Sequence, residues 1–560
     1  MQFIKTILTL FIFATPYLAV SQSTPLPHQH KHQQLLDRLE IKLRTNNDLN
    51  LSVAKPISRR IAVNAAMLAD SSAQQDPSLL TEVDKSDLRS FYMNNREWYT
   101  GESSDFESRK PILGAFYKTK ANMIEVNNED FYLSVNPVLQ FQLAKESDND
   151  AKLFLNQKGL SIRGLIARRV GFSVLVTDNQ ERLPSFASDY MNRHRAVPGF
   201  GFYKRYKNTG VDYFDARGSI HFTAAKYIDI SFGYDKHFIG NGYRSLFLSD
   251  FANSHLYLKL NTRIWKLNYQ AITMELVPQF SRGSSDTLRD KKYAAIHHLS
   301  FNATKWLTLG LFESIVYGRK NKLELSYLNP VIFLRAAEHQ NGSQDNALVG
   351  FDLKANIAKK FQVYSQVLLD EFKLSEVTGG EGWWANKFGV QAGAKYIDAF
   401  KIANLDLQGE VNFVRPFTYT HKDTVANYTH YNQPLAHPLG ANFREFIGIV
   451  RYKPHPDWSA SARIIYWQQG VDSTNSNFGG NIMKPYTTRG FDYGYSLPTG
   501  PVSKGLNAQF LLSWEARENL FIDLAALYRK QEAGALNISR NSTTISAGLR
   551  MNIARREYDY

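Results

Sequence analysis

The chain has no cysteine among its 560 residues. Disulfide bonds, thiolate metal sites, cysteine nucleophiles and lipidated cysteine anchors are therefore excluded. Common catalytic and cofactor motifs are also missing, because the sequence has no His-Glu-x-x-His pair, no Gly-x-Ser-x-Gly elbow and no nucleotide fingerprint. We therefore expect no catalytic residues, no cofactor and no metal site. A hydrolase at the rim of the fold is the least favoured alternative.

Long apolar runs are absent as well, and no stretch after the N-terminus reaches the ~20 residues that a helical membrane span needs. Residues 1–21 predict a signal peptide, in which Lys5 supplies the positive start and residues 7–13 form the apolar centre. Ala19 and Ser21 give a small-x-small cleavage site. An uncleaved anchor helix is the alternative, but the apolar run is too short for it. We expect the mature chain to leave the cytoplasm.

Acidic residues are outnumbered, with 66 Lys and Arg against 52 Asp and Glu and a formal charge of +14. For an exported chain, nucleic acid is not an expected partner. The expected partner that balances this positive charge is acidic lipopolysaccharide or an acidic surface polysaccharide. The alternative is that the basic residues lie on solvated loops.

The sequence does contain a repeated alternation of apolar and polar residues. Within residues 211–235, Phe214 and Ile220 fall on one face, and Asp215 and Arg217 fall on the other. Because side chains alternate across a strand, this pattern predicts an antiparallel hairpin with one apolar and one charged face. The unit recurs between residues 131 and 554. It predicts about eighteen strands, long enough to cross a bilayer at a tilt.

The connections decide between a membrane barrel and two stacked soluble sheets. Those after odd-numbered strands are mostly long, whereas those after even-numbered strands are tight turns, a sorting typical of outer-membrane barrels with periplasmic short turns. The predicted fold is an all-β, antiparallel outer-membrane β-barrel of about eighteen strands, closed by pairing the first strand with the last. Glu313 fits poorly, because it shares the face of Leu309 and Leu311. A nearby plug, a bulge or a wrong register would explain it.

The N-terminal part differs from the rest of the chain. Apolar residues recur at helical spacing from residue 33 to 43, from 57 to 68 and from 76 to about 98. We therefore predict a small periplasmic helical region over residues 22–115, followed by a transmembrane barrel over residues 116–560. This region either caps or plugs the barrel mouth or forms a detached bundle. The expected location is the Gram-negative outer membrane.

The long loops are rich in aromatic and basic side chains. Aromatic faces stack on sugar rings, and neighbouring cations suit acidic sugars. The alternative is that these aromatic residues form the interfacial girdle or pack the loops together; we favour it for the tryptophans. The candidate glycan-binding residues are Tyr486, Phe491, Tyr493, Tyr495, Lys484, Arg489, Trp383 and Trp384.

Two stretches resemble a known family. The segment HFIGNGYRSLFLSDFANSHLYLKLN (237–261) carries Gly240, Gly242 and Arg244, and a second similar segment covers residues 323–354. Both resemble the Wzi-like capsule-assembly proteins of outer membranes, above all their Bacteroidetes type, which includes the gliding-motility protein RemB. The resemblance implies an eighteen-stranded barrel with a periplasmic helical bundle and a non-enzymatic role in binding or organising exopolysaccharide, or in gliding or adhesion. It supplies no glycan-binding positions.

The same residues also have a physical interpretation. Gly240 and Gly242 permit a positive φ, which suits a loop that folds back into the barrel mouth. Arg244 is expected to pair with a lumen carboxylate, and a short helix near residues 331–338 is expected to fold inward and narrow the pore. Expected partners are surface polysaccharide or lipopolysaccharide, outer-membrane lipid, and motility or export machinery. The alternative function is an outer-membrane channel for passive or selective transport.

Overall fold

The computed structural model describes residues 23–560 except 148, 208, 281–287, 343, 474–475 and 535–537. The predicted signal peptide, residues 1–21, lies outside the described residues. None of the described helices is long and apolar enough to cross a membrane.

Eighteen long strands form one closed antiparallel barrel. The last strand pairs with the first, with Ile545 opposite Lys145, so no sheet edge remains. The predicted fold class is confirmed. The strands are β1 (Phe131–Glu146), β2 (Asn149–Ile166), β3 (Val170–Arg182), β4 (Gly210–Ala225), β5 (Ile228–Asp235), β6 (His255–Ile264), β7 (Leu267–Leu276), β8 (Lys292–Asn302), β9 (Leu307–Tyr317), β10 (Asn346–Ile357), β11 (Phe361–Glu371), β12 (Lys387–Tyr396), β13 (Leu405–Val414), β14 (Phe443–His455), β15 (Trp458–Gly470), β16 (Val502–Arg517), β17 (Leu520–Ala533) and β18 (Ile538–Met551).

The two faces of the wall differ as the alternation predicts. On β4, Phe214 is 63% exposed and Ile220 51%, whereas Asp215 and Ser219 are 6% and 5% exposed. The apolar side chains point outward and the polar ones line the lumen. Because the lumen-facing polar groups are nearly all covered, the lumen must be filled by other parts of the chain.

The N-terminal region forms four helices: α1 (Gln33–Leu43), α2 (Asn47–Asn50), α3 (Arg59–Gln75) and α4 (Glu82–Met93). Leu39, Ala62 and Phe91 are buried in their shared core. The third predicted helix, expected from residue 76, begins only at residue 82. Thr81 caps the backbone N–H of Asp84, and the Asp84 side chain accepts from the Thr81 N–H. This capping box starts the helix at residue 82.

The helical region closes the end of the barrel that carries the short turns. Ion pairs join it to lumen-facing or turn residues on several sides of the barrel, so it is a cap and not a detached bundle. The short-turn end is the periplasmic end of an outer-membrane barrel. The pairs are Lys31–Glu515 (2.6 Å), Asp37–Lys395 (2.7 Å), Glu40–Lys354 (2.6 Å) and Glu97–Arg163 (3.2 Å).

The described parts of the long loops carry three more helices: α5 (Ser185–His194), α6 (Leu334–Gln340) and α7 (Leu374–Gly379). The prediction that a helix near residue 334 folds inward is wrong. Leu334 and Ala337 instead pack with Ile315 and Tyr317, which point outward from β9. Residues 319–342, here called the outer clasp, therefore lie on the outside of the barrel wall.

Candidate functional site

The connection between β5 and β6 folds into the lumen. Arg244 lies there, 3.4 Å from a carboxylate oxygen of Glu445 and 3.2 Å from Asp559. The two neighbouring glycines act differently. Gly240 has φ +153°. Gly242 has no positive φ. A Cβ at this position would lie 2.6 Å from the Glu410 side chain, so glycine is required there because the loop approaches the barrel wall closely.

Asp215 and Arg217 lie next to each other on the lumen face of β4. Their side chains are 2.8 Å apart, and Arg217 is also 3.9 Å from Asp235. Both residues line an internal cavity of about 460 Å³ between the wall, the N-terminal segment and the C-terminal tail. These groups compensate one another's charge inside the barrel.

The C-terminal tail, residues 552–560, also fills the lumen. Glu557 pairs with Arg463 at 2.9 Å, and Arg556 pairs with Glu181 at 3.0 Å. The guanidinium groups of Arg244 and Arg463 hold the pKa of Asp559 at about 2, against the desolvation that opposes it. The tail, the inward loop and the helical cap together obstruct the passage through the barrel.

The predicted glycan-binding aromatics come together at the outer mouth. We call Trp383, Trp384, Tyr486, Phe491, Tyr493 and Tyr495 the aromatic loop cluster. The loop before β12 is joined to the loop before β16 by backbone hydrogen bonds from Trp384 N to Asp492 O (2.9 Å) and from Tyr495 N to Gly382 O (2.9 Å). The rings of Trp384 and Tyr486 are 4.9 Å apart, and those of Phe491 and Tyr495 are stacked at 4.3 Å.

Much of this cluster packs on itself. The guanidinium of Arg489 lies 4.0 Å from the centre of a Trp384 ring, and Tyr495 is 2% exposed. Lys484 pairs with Asp472 at 2.9 Å. Only Phe491 and the neighbouring Tyr493, 41% and 46% exposed, present large ring surfaces to the outside. The geometry therefore suits loop packing for most members and leaves two rings open to a ligand.

A larger cavity lies beside this cluster. It has a volume of about 1030 Å³ and is bounded by α5, by the outer ends of β15, β16 and β17, by the start of β18 and by the tail. We call it the outer vestibule. Its volume is at the upper end of the ~300–1,000 Å³ typical of small-ligand sites. None of the candidate glycan-binding residues lines it.

Three buried donors of the outer vestibule have no hydrogen-bond partner among the residues that the structure describes: the hydroxyls of Tyr190 and Tyr560 and the indole N–H of Trp467. The three residues are 6%, 8% and 3% exposed. Burial raises the pKa of Tyr190 and of Tyr560 above their ordinary value, so both hydroxyls remain protonated donors. Unpaired buried donors are costly, and a bound ligand with hydroxyl groups would satisfy them.

Arginines add positive charge to the same cavity. Arg193 is exposed at the end of α5, and Arg529 donates to Asn507 at 2.8 Å and to the Tyr560 carbonyl at 2.5 Å. Neither forms an ion pair with Asp or Glu among the described residues, whereas Arg540 pairs with Asp189. The cavity thus combines unpaired donors, aromatic edges and arginine side chains.

This cavity is not apparent from the sequence. Its key side chains come from α5, β15, β17 and the tail, which are far apart in the chain. Trp467 pairs with Gly505 on the next strand, where a Cβ would lie 2.2 Å from the indole. This pairing is known only from the strand register of the folded barrel, so no local pattern in the sequence indicates it.

Comparison with known proteins decides the family. The family described as Capsule assembly protein Wzi matches residues 185–526, more than half of the chain. The chain belongs to the Wzi capsule assembly family. Among solved structures, Wzi of Escherichia coli superposes with a TM-score of 0.55 at 14% identity, covering 95% of this chain and 100% of that one. No curated protein matches the sequence.

Other solved structures are more distant. OprD of Pseudomonas aeruginosa has a TM-score of 0.41 at 10% identity and covers 74% of this chain and 94% of that one. OccAB4 of Acinetobacter baumannii has a TM-score of 0.41 at 8% identity, with 76% and 98% covered. The Wzi family and the closed barrel confirm the predicted location in the Gram-negative outer membrane. The Bacteroidetes type and the gliding role stay predictions.

Proposed function

We propose that this Wzi-family barrel is a non-enzymatic protein that binds surface polysaccharide at its outer mouth. The observation that carries the proposal is the outer vestibule, in which Tyr190, Tyr560 and Trp467 leave buried donors unpaired beside Arg193 and Arg529. Sugar hydroxyls accept from such donors, and acidic sugars or phosphate groups suit arginine. The Escherichia coli Wzi is described as a carbohydrate-binding barrel involved in capsule assembly.

The filled lumen favours binding over passive transport. The ion pairs of Arg244, Glu557 and Arg556 hold the inward loop and the tail across the barrel. A channel for diffusion would need these segments to move. A steady open conductance of the purified protein in planar bilayers would favour the channel alternative, whereas a closed barrel supports the binding role.

The aromatic loop cluster is the second part of the proposed surface. Tyr493 and Phe491 lie at the outer mouth with exposed rings, close to Arg489 in sequence. An extended polysaccharide bound in the outer vestibule would continue over these rings. Support for gliding or adhesion, and contact with motility or export machinery, would follow from holding the polysaccharide at the cell surface.

The cellular test compares two charge-neutralising variants. Arg193→Gln changes the outer vestibule, and Arg109→Gln removes the same charge from an exposed position of the periplasmic region. In a deletion strain complemented with each variant, we expect R193Q to retain less surface polysaccharide than wild type and R109Q to retain as much. Equal retention by both variants would contradict a role for the outer vestibule.

A further inference from the structure

The outer clasp covers part of the wall that should face lipid. Outward-facing residues alternate with lumen-facing ones on β8 and β9, and those near the outer ends are buried: Tyr293 is 8% exposed, Ile315 1% and Tyr317 0%. Lower on β9, the outward-facing Leu311 is 57% exposed. The clasp therefore replaces lipid over the outer half of these strands.

The clasp is folded against the wall. The rings of Tyr317 and Tyr327 are 4.9 Å apart, and Leu334 is completely buried. The Tyr327 hydroxyl donates to Asp345 at 2.6 Å, and Arg319 donates twice to the same carboxylate at 2.6 Å. These contacts fix both ends of the segment beside the barrel.

Polar groups between the clasp and the wall are paired with each other. Glu313, on the outward face, shares a 2.9 Å hydrogen bond with His297 and accepts the backbone N–H of Leu334 at 3.0 Å. The Tyr269 hydroxyl, also outward-facing, donates to the Pro330 carbonyl at 2.5 Å. Hydrocarbon supplies no hydrogen bonds, so backbone that lies in it must find partners within the protein. The contacts of Glu313 with His297 and Leu334 explain why a charged residue stands at an outward-facing position that the alternation reserves for apolar residues.

The middle of the clasp, residues 325–333, presents apolar and uncovered side chains on its outer side. Leu325 is 71% exposed, Val331 88% and Phe333 76%. Between residues 323 and 333 the sequence has no Lys, Arg, His or Asp, and its one carboxylate is that of Glu324, which lies 3.8 Å from Arg319. Exposed apolar groups of this density mark a binding or membrane surface. This surface continues the lipid-facing wall below it.

We propose that the outer clasp is embedded in the outer leaflet of the membrane, where Leu325, Val331 and Phe333 contact lipid acyl chains. The clasp would lie along the wall as a monotopic element and would not project into water. The basic side chains of Lys320 and Lys322 at its first end suit the phosphate groups of the leaflet surface. This inference does not depend on polysaccharide binding.

The test uses the absence of native cysteine, which makes single nitroxide labels unambiguous. Val331→Cys and Phe333→Cys place labels on the clasp. Leu311→Cys on the exposed wall is the lipid control, and Glu82→Cys in the periplasmic region, whose side chain is 87% exposed, is the water control. In liposomes we expect the two clasp labels to resemble Leu311, with faster collisions with oxygen than with a water-soluble nickel complex.

Collision rates that resemble those at Glu82 would place the clasp in water and overturn the proposal. The same labels are then measured in native outer-membrane vesicles. Loss of both oxygen and nickel access at Val331, with Leu311 unchanged, would mean that a protein covers the clasp, and would also overturn the lipid assignment. Retained oxygen access in both preparations supports it.

Discussion

Arg38 joins the helical cap to the barrel, and its removal tests how the cap is held. The side chain is 5% exposed and lies 2.8 Å from Asp84 of α4, 2.5 Å from Asp406 of β13 and 2.8 Å from Asp398 in the preceding turn. Arg38→Met would leave three carboxylates facing one another. Lys42, 2.7 Å from Asp84, compensates only part of this charge.

Removing one partner of a buried ion pair typically costs about 3–5 kcal/mol. At 1.4 kcal/mol per tenfold change, the amides of α1 and α4 should exchange hydrogen roughly two to four orders of magnitude faster through local opening. The barrel strands should be unaffected, because the backbone hydrogen bonds between them do not involve Arg38. Hydrogen-exchange mass spectrometry of the detergent-solubilised protein measures both regions at once.

Lys85→Met is the matched control, because its pair with Glu82 lies on the surface, where ion pairs contribute about 0–1 kcal/mol. It should leave exchange in α1 and α4 nearly unchanged. Adding Asp406→Asn to Arg38→Met should recover part of the protection, since one unpaired carboxylate is removed. Unchanged protection of α1 in the Arg38 variant would refute this account of how the cap is held.

Three further outcomes follow from the outer mouth and the tail. The pKa of Asp559 is about 2 in the folded protein, against an ordinary value of 3.8. Ionised Asp559 therefore stabilises the folded state above pH 4, and this stabilisation is lost as the pH falls toward 2. The difference in melting temperature between wild type and Asp559→Asn should shrink over this window. Tyr493→Ala should weaken polysaccharide retention without changing thermal stability, whereas Tyr495→Ala should lower stability, because its buried ring packs between the loops. Gly505→Ala should displace the Trp467 ring, lower polysaccharide affinity and quench or shift tryptophan fluorescence.

The barrel could be predicted from sequence because its signal is local. Each strand alternates with period two, and each hairpin has its own turn, so errors in one strand do not spread to the next. The closure of β18 on β1 then follows from the need to pair every backbone group in lipid. Glu313 was the exception to the alternation, and the outer clasp that explains it comes from a loop with no periodic pattern.

The outer vestibule could not be predicted in the same way. Tyr190, Trp467 and Tyr560 come from a loop helix, a strand end and the tail, and only folding brings them together. The aromatic loop cluster was visible because its residues are crowded in sequence. Crowding does not separate rings that pack on each other, such as Tyr495, from rings open to a ligand, such as Tyr493.

The most direct test of the account is a titration of the purified barrel with surface polysaccharide isolated from the same strain. Tyr190→Phe and Tyr560→Phe combined remove two donors that have no partner in the described part of the chain, so the melting temperature should not fall. Two lost hydrogen bonds of about 0.5–1.5 kcal/mol each should raise the Kd roughly 5- to 150-fold. A Kd equal to that of wild type, with the fold intact, would contradict polysaccharide binding in the outer vestibule.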